Sequence, residues 1–505
     1  MVATKDALDV DMDMSGSRGV PMGVLLTRFA AESPDAPMLT QGGATLCRAA
    51  LEARANRRAR ALAEMGVGEG DVVSIALPND FEFIETTFAL WKLGATPAPL
   101  SYRLPDIELA GIVELVAPKL VVGIAAERLP GTATLPAGFE PSAALQASPL
   151  PERVSRYWKA VTSGGSTGRP KVVFDHMPSI WDPASIVLGR QPGDTVLNPG
   201  PLYHNGPFVL MHTAMLGGSH VVNMPRFDAL EWLQLVDRFE VQWGYLVPTM
   251  MNRIWRLEER TRFSLGSLRM ICHMAAPCPA WLKRSFIDWL GPNRVWETYS
   301  GTESVGACIN NGDEWLARPG TVGRPMGGCK VAILDEAGAA LPNGEIGEIY
   351  FQPSETSGAG FHYLGGEPRV AGALKGYGDL GYMDDDGYVY IVDRRTDLIV
   401  SGGANVYPAE IEAAIEQHPD VRSCVVIGLP DSDLGQATHA IVDAPCSAGK
   451  ELDAAALLRF LKDRLVTYKH PRSFEFVQSP LRDDAGKVRR SSLRDRRIAQ
   501  MGGSV

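Results

Sequence analysis

Residues 72–100 read VVSIALPNDFEFIETTFALWKLGATPAPL. The apolar run at 72–77 is continuous, the pattern of a strand buried on both faces. Residues 81–93 follow with helical character, and Gly94 stands where a left-handed cap closes a helix. Residues 96–100 read as a second short strand, 105–116 as a helix and 119–123 as a third strand. Strand and helix alternating this closely predict parallel sheet with crossover helices.

The pattern extends in both directions. Upstream, 24–32 and 49–65 read as helices. Downstream, 195–198, 219–223 and 242–247 read as strands, with helices at 207–216, 229–239 and 250–260. After Gly320 the texture changes. Short strands at 330–334, 348–351, 387–392 and 397–400 are divided by Gly-, Pro- and Asp-rich turns, which suggests a β-barrel-like region. Beyond Arg394-Arg395 comes a compact unit, with helices at 408–417 and 454–466 and strands at 423–428 and 439–443. The expected fold is α/β. A large N-terminal domain, 1–394, holds doubly wound sheets and the barrel-like region, and a small mobile α+β lid spans 395–505.

Composition narrows the class. The 505 residues carry 59 acidic and 49 basic side chains, a formal charge of −10. That balance, with no basic block, argues against nucleic acid as a partner. A 45% apolar share supplies large cores, and 21% charged argues against disorder. The 7 cysteines are scattered with no C-x-x-C, so neither a disulfide framework nor a structural zinc site is expected. Residues 1–18 are acidic where a signal peptide would be basic then apolar. No apolar run approaches the ~20 residues of a membrane span. The expectation is a cytoplasmic protein, monomer or homodimer.

The strongest chemical signal is Ser163-Gly164-Gly165-Ser166-Thr167-Gly168-Arg169-Pro170-Lys171. Its backbone N–H groups and hydroxyls could cradle phosphates. It is not a Walker A loop, because Arg169-Pro170 separates Gly168 from Lys171. A phosphotransferase of the Walker type is therefore excluded. Read alone, such a loop is more often a flexible surface loop.

The loop resembles the phosphate signature of adenylate-forming (AMP-binding) acyl- and aryl-CoA synthetases. Further segments resemble that family in its order. They are Tyr299-Ser300-Gly301-Thr302-Glu303, Tyr377-Gly378-Asp379-Leu380-Gly381, the hinge region from Asp393-Arg394-Arg395-Thr396-Asp397, and Gly486-Lys487-Val488-Arg489-Arg490. The wording around Ala276-Pro277 and residues 480–487 resembles the bile acid–CoA ligase branch.

The resemblance implies a two-step reaction. A carboxylate and ATP give an acyl-adenylate and pyrophosphate, and coenzyme A then displaces AMP to form a thioester. Implied cofactors are ATP, Mg²⁺ and coenzyme A. Lys487 would contact the carboxylate and the α-phosphate, Thr302 the α-phosphate, and Glu303 would hold Mg²⁺. Ser163, Gly164, Gly165, Ser166, Thr167, Gly168 and Lys171 would bind ATP phosphates, with Ala276 and Pro277 at the nucleotide. Tyr299 would stack on adenine, Asp379 would accept from the ribose hydroxyls, and Arg394 would reach ribose or phosphate. His204 would stand as a gate between the acyl pocket and the CoA channel. Gly402 and Gly403 would let pantetheine pass, and Arg395 and Thr396 would form the hinge.

By position, the acyl pocket would be lined by His204, Asn205, Phe208, Trp243, Tyr245, Met274, Ala275 and Gly301. Aromatic and sulfur side chains there suggest a roomy site for a bulky acid, a bile-acid or steroid side chain or an arylalkanoic acid. Spacing would equally make Trp243 and Tyr245 core residues. Some positions depart from the family pattern. Thr396 replaces the usual Asp or Lys, Tyr377 the usual Thr, Ser300 a Gly, and Met274-Ala275 stand in a glycine-rich segment. Two other readings are open: loading of a carrier-protein phosphopantetheine, and a non-catalytic nucleotide-binding relative.

Overall fold

The computed structural model describes residues 19–163, 171–354, 360–402, 404–444, 452–483 and 486–502. The opening segment folds as read. Val72–Ile75 pairs in parallel with Thr96–Pro99 on one side and Leu120–Val122 on the other. The helix Phe81–Leu93 links the first two. Asp80 caps it by accepting from the Phe83 amide at 3.0 Å, and Gly94 ends it at φ 72°.

This helix is buried along almost its whole length. It lies in a core shared with Val73 and Ile75 on one side and Val196 and Val221 on the other. It is therefore the layer between two sheets, which explains why it is apolar all round rather than striped. Its one lysine, Lys92, reaches Glu52 Oε1 at 2.9 Å, Thr27 at 3.0 Å and the Gly23 carbonyl at 3.0 Å.

The second sheet is the larger, with 14 strands. Its parallel part runs Pro37–Gln41, His220–Asn223, Thr195–Asn198, Trp243–Leu246, Met270–His273, Val295–Ser300 in space. Ala307–Asn311 then turns back antiparallel. Through Thr321–Pro325 it continues into Val389–Arg394, Leu374–Met383, Gly347–Gln352 and Lys330–Leu334. The barrel-like region thus joins the parallel sheet as its antiparallel end. A third sheet pairs Ala160–Ser163, Lys171–Asp175 and Phe361–Leu364, with Ser163 opposite Lys171.

The last sheet holds Ala404–Val406, Ile399–Ser401, Gly435–Asp443, Ser423–Asp431 and Ser473–Val477. Helices Pro408–Ile415 and Ala454–Leu461 cover one face through Ile411, Ile415, Leu457 and Leu461. Leu493 of helix Arg490–Gly502, with Val488, packs against Val425, Ile427 and Ile441 on the other.

Element ends differ from expectation where local chemistry intervenes. The helix expected at 250–260 begins at Pro248, whose fixed φ suits a first turn, and stops at Trp255. The strand expected at 387–392 is Val389–Arg394, because Gly387 occupies the preceding turn at φ 80°. Among the described residues, no helix is long and apolar enough to cross a membrane.

Candidate active site

The site forms at the carboxyl ends of the parallel strands, the usual ligand face of an open α/β sheet. Helix Asn205–Leu216 begins there, with His204 in extended backbone just ahead of it. Strand Met270–His273 delivers Met274 and Ala275, and strand Val295–Ser300 delivers Gly301, Thr302 and Glu303.

Tyr299 sits at the end of that strand. Its hydroxyl donates to Asp379 Oδ2 at 2.7 Å, and Arg394 Nε donates to Asp379 Oδ1 at 3.2 Å. Asp379 itself is only 5% exposed. A carboxylate held at both oxygens keeps lone pairs free for further donors. Tyr299 lies among Phe351 and Tyr377, with ring centroids 5.9 Å from each.

Glu303 follows in a tight turn. Its Oε1 accepts from the Tyr363 hydroxyl. The turn is closed by Ser304 N donating to the Gly301 carbonyl at 3.2 Å. Among the described residues no group of three or more metal-ligating side chains converges. Mg²⁺ can be held by a single protein carboxylate, since it keeps waters and takes its other ligands from substrate phosphates. Glu303 fits that pattern.

Lys487 comes from the C-terminal unit. Gly486, at φ 75°, brings the chain against the end of strand Trp243–Leu246; a Cβ there would lie 3.2 Å from Thr249 Oγ1 and 3.3 Å from Val247 Cγ2. Lys487 N donates to Asp483 Oδ1 at 2.8 Å. Burial and the Arg394 charge pull the Lys487 ammonium below the ordinary lysine range, while Asp483 and Glu303 oppose this. Arg490 anchors the segment. It pairs with Glu412 and with Asp397 Oδ2 at 3.0 Å, and also reaches the Val426 carbonyl at 3.0 Å.

His204 faces the same cleft. Burial, then the charges of Lys487 and Arg489, push its pKa down to about 3. It is neutral at any working pH. Its ring packs on Tyr203, centroids 4.6 Å apart.

Three of the residues expected at the acyl pocket lie in the central core. Phe208, Trp243 and Tyr245 are 0%, 1% and 2% exposed and belong to the central core. Tyr245 Oη donates to Asn198 Oδ1 at 2.6 Å and accepts from Gly200 N at 3.2 Å. Trp243 Nε1 donates to the Leu188 carbonyl at 2.9 Å. Spacing alone could not separate pocket from core at the strand positions. Met274, Ala275, Asn205, His204 and Gly301 do lie at the strand and helix ends. Met274 Sδ is 3.6 Å from where a Gly206 Cβ would stand. The Tyr299 hydroxyl bonds Asp379 at the edge of the ring, which does not oppose the expected stacking.

Lys171 starts its strand with Nζ 5.7 Å over the Tyr363 ring. Gly402 turns at φ 56°, its N–H donating to the Leu434 carbonyl at 2.9 Å. At the hinge, Arg395 pairs with Glu348 at 2.8 Å, and Thr396 Oγ1 donates to Asp397 Oδ1 at 3.4 Å. Ala276 and Pro277 follow Ala275 in the turn. Gly164, Gly165, Ser166, Thr167, Gly168 and Gly403 lie outside the described residues.

Sequence reading missed Tyr363 and Asp393. Asp393 accepts from Ala409 N at 3.1 Å, tying strand Val389–Arg394 to helix Pro408–Ile415, and burial raises its pKa to about 6. A signal for Asp393 was its place beside Arg394-Arg395. Tyr363 had none, since its strand pairs with residues nearly two hundred positions away.

Two family models match the chain, AMP-binding enzyme over residues 26–357 and AMP-binding enzyme C-terminal domain over 410–487. A feruloyl-CoA synthase from Amycolatopsis is 31% identical, covering 95% of this chain and 99% of the relative. A 2-succinylbenzoate–CoA ligase from Geobacillus kaustophilus is 31% identical over 93% and 96%. The solved o-succinylbenzoate CoA synthetase of Bacillus subtilis, in complex with its acyl-adenylate intermediate, superposes with a TM-score of 0.82 at 25% identity, over 94% of this chain and 98% of that one. The chain belongs to the AMP-binding enzyme family.

Proposed function

We propose that the protein activates a ring-bearing carboxylic acid, an arylalkanoic or arylacrylic acid in preference to a steroid, and transfers it to coenzyme A. It is an AMP-forming carboxylate–CoA ligase that uses ATP and Mg²⁺. The observation that carries the reading is the convergence of Glu303, Arg394, His204 and Lys487 on one cleft from both parts of the chain. The aryl preference is supported by Met274, whose sulfur is set against Gly206 at the start of helix Asn205–Leu216, while Phe208, Trp243 and Tyr245 lie in the core. The named aryl-acid relatives support it too. The bile-acid alternative asks for more room. ATP and free coenzyme A as co-substrates suit a cytoplasmic reaction.

In the first step the carboxylate oxygen attacks the α-phosphorus and pyrophosphate leaves. Lys487 carries the positive charge that orients the carboxylate and balances charge on the α-phosphate, with Thr302 as a hydrogen-bond donor. Asp379, held by Tyr299 and Arg394, fixes the ribose. Mg²⁺, when bound at Glu303, neutralises phosphate charge. Neutral His204 bounds the acid without adding a competing cation. In the second step the coenzyme A thiolate attacks the acyl carbonyl and AMP leaves. For that step the lid, 395–505, rotates about Arg395-Thr396, withdrawing Lys487 and bringing Gly402 to the channel.

The test is pyrophosphate release over a panel of carboxylic acids, with and without coenzyme A. Hydroxycinnamates and arylalkanoates are expected to turn over, with thioester formed only when coenzyme A is present. Turnover confined to steroid or bile acids would sink the aryl reading.

A further inference from the structure

We propose that Tyr377 is a positioning residue for the magnesium–nucleotide site, fixing the turn that carries Glu303. This rests on the reading of Glu303 as the cation ligand. Tyr377 stands where the resembling motif has threonine, and the longer side chain does something a threonine could not. Its ring slides beneath Gly301, where a Cβ would lie 2.3 Å from Tyr377 Cε1. Its hydroxyl then reaches the far side of the turn. It accepts from Val305 N at 3.1 Å and Gly306 N at 3.2 Å, and donates to the Gly306 carbonyl at 2.7 Å. That uses its proton and both lone pairs.

The residue between Glu303 and Val305 explains why such a hold is needed. Ser304 has φ 54° without being glycine. An L-residue keeps that conformation only where its surroundings over-determine it. Tyr377 supplies the constraint from one side. Phe351 supplies it from the other, since a Cβ at Gly306 would meet its ring at 2.3 Å. Tyr363 then fixes the carboxylate itself through Oε1. Backbone and side chain of Glu303 are thus aimed by two different tyrosines, neither next to it in sequence.

The experiment is calorimetric titration of the full-length chain with ATP, once with Mg²⁺ and once with a chelator, in the absence of acid and coenzyme A. Tyr377→Phe keeps the ring and removes the hydroxyl. The expected result is MgATP affinity weakened roughly tenfold with metal-free ATP affinity within about twofold, the scale for loss of a group that orients a metal ligand. A purely structural tyrosine would shift both titrations together, and that result overturns the proposal. Glu303→Gln is the reference. If it weakens MgATP selectively while Tyr377→Phe matches the parent, the proposal fails and the Glu303 reading stands. If Glu303→Gln leaves MgATP binding intact, that reading fails and takes the proposal with it. Should Tyr377→Phe not fold, Tyr377→His, whose ring is too short to reach both amides, is titrated in the same way and judged by the same outcomes.

Discussion

Tyr299 donates its hydroxyl to Asp379 Oδ2 at 2.7 Å, joining strand Val295–Ser300 to strand Leu374–Met383. Arg394 holds the other oxygen at 3.2 Å. The carboxylate is therefore aimed before any nucleotide arrives. Tyr299→Phe leaves the ring packing and removes the aim. A hydrogen bond to a charged group contributes about 1.5 kcal/mol or more, so AMP affinity should fall about tenfold. Calorimetry with AMP measures this, and an unchanged Kd would show that Arg394 alone orients Asp379.

Lys487 reaches the cleft only because Gly486 lies against Val247 and Thr249 while Arg490 grips Asp397 and Glu412. Lys487→Ala removes the cation and leaves that docking intact. ATP–pyrophosphate exchange should drop on the order of a hundredfold or more, the scale of losing one charge-stabilising donor. Thioester formation from supplied acyl-adenylate should be spared. Equal loss of both steps would mean that Lys487 serves the fold rather than adenylation.

Two buried histidines, His212 and His273, and the half-buried His204 set the acid limit of stability. Burial holds His212 and His273 near pKa 4 and His204 near 3, against an ordinary value of 6.5. The unfolded chain takes up these protons below pH 6.5 and the folded chain does not. Stability is therefore full above pH 6.5 and falls as pH drops toward 4, on the order of 1–3 kcal/mol per histidine. Urea midpoints at pH 7 and pH 4.5 measure it. His212→Leu should flatten part of the slope, and an unchanged slope would remove His212 from the account.

Ala275 is exposed with φ 71°, in a segment where the resembling motif has glycine. A left-handed conformation costs an L-residue about 1 kcal/mol, and glycine avoids this while gaining some unfolded-state entropy. Ala275→Gly should raise stability by about 0.5 kcal/mol in urea melts. A destabilised variant would mean that the Ala275 methyl has packing that outweighs its strain.

Local signals reached the sheet and the helix between its layers, because apolar runs and caps are written in neighbouring residues. Asp80 and Gly94 bracket their helix in sequence as in space. Glu303, Asp379, Arg394 and Lys487 stand out in the sequence through short motifs that resemble the family's. What holds them does not. Tyr363 on Glu303, Tyr299 on Asp379 and Asp393 on Ala409 N are pairings across the fold. The pocket is the part that neighbouring residues do not decide. Trp243 and Tyr245 alternate on a strand with Gly244 between them, and only the packed structure decides which side of the sheet is core.

Met274 offers a test of substrate size. It follows strand Met270–His273, and its sulfur lies 3.6 Å from where a Gly206 Cβ would be, so it closes the gap between the strand end and helix Asn205–Leu216. Truncation there opens space without disturbing the tyrosines or Lys487. Met274→Ala should lower KM for bulkier ring systems and raise it for simple arylalkanoates, each by roughly tenfold, the scale of a few methylenes of pocket contact. The ratio of kcat/KM between a steroid acid and a phenylalkanoate reads the change directly. A ratio that stays put would place the acyl group elsewhere, and the argument for a small aryl acid would lose its structural half.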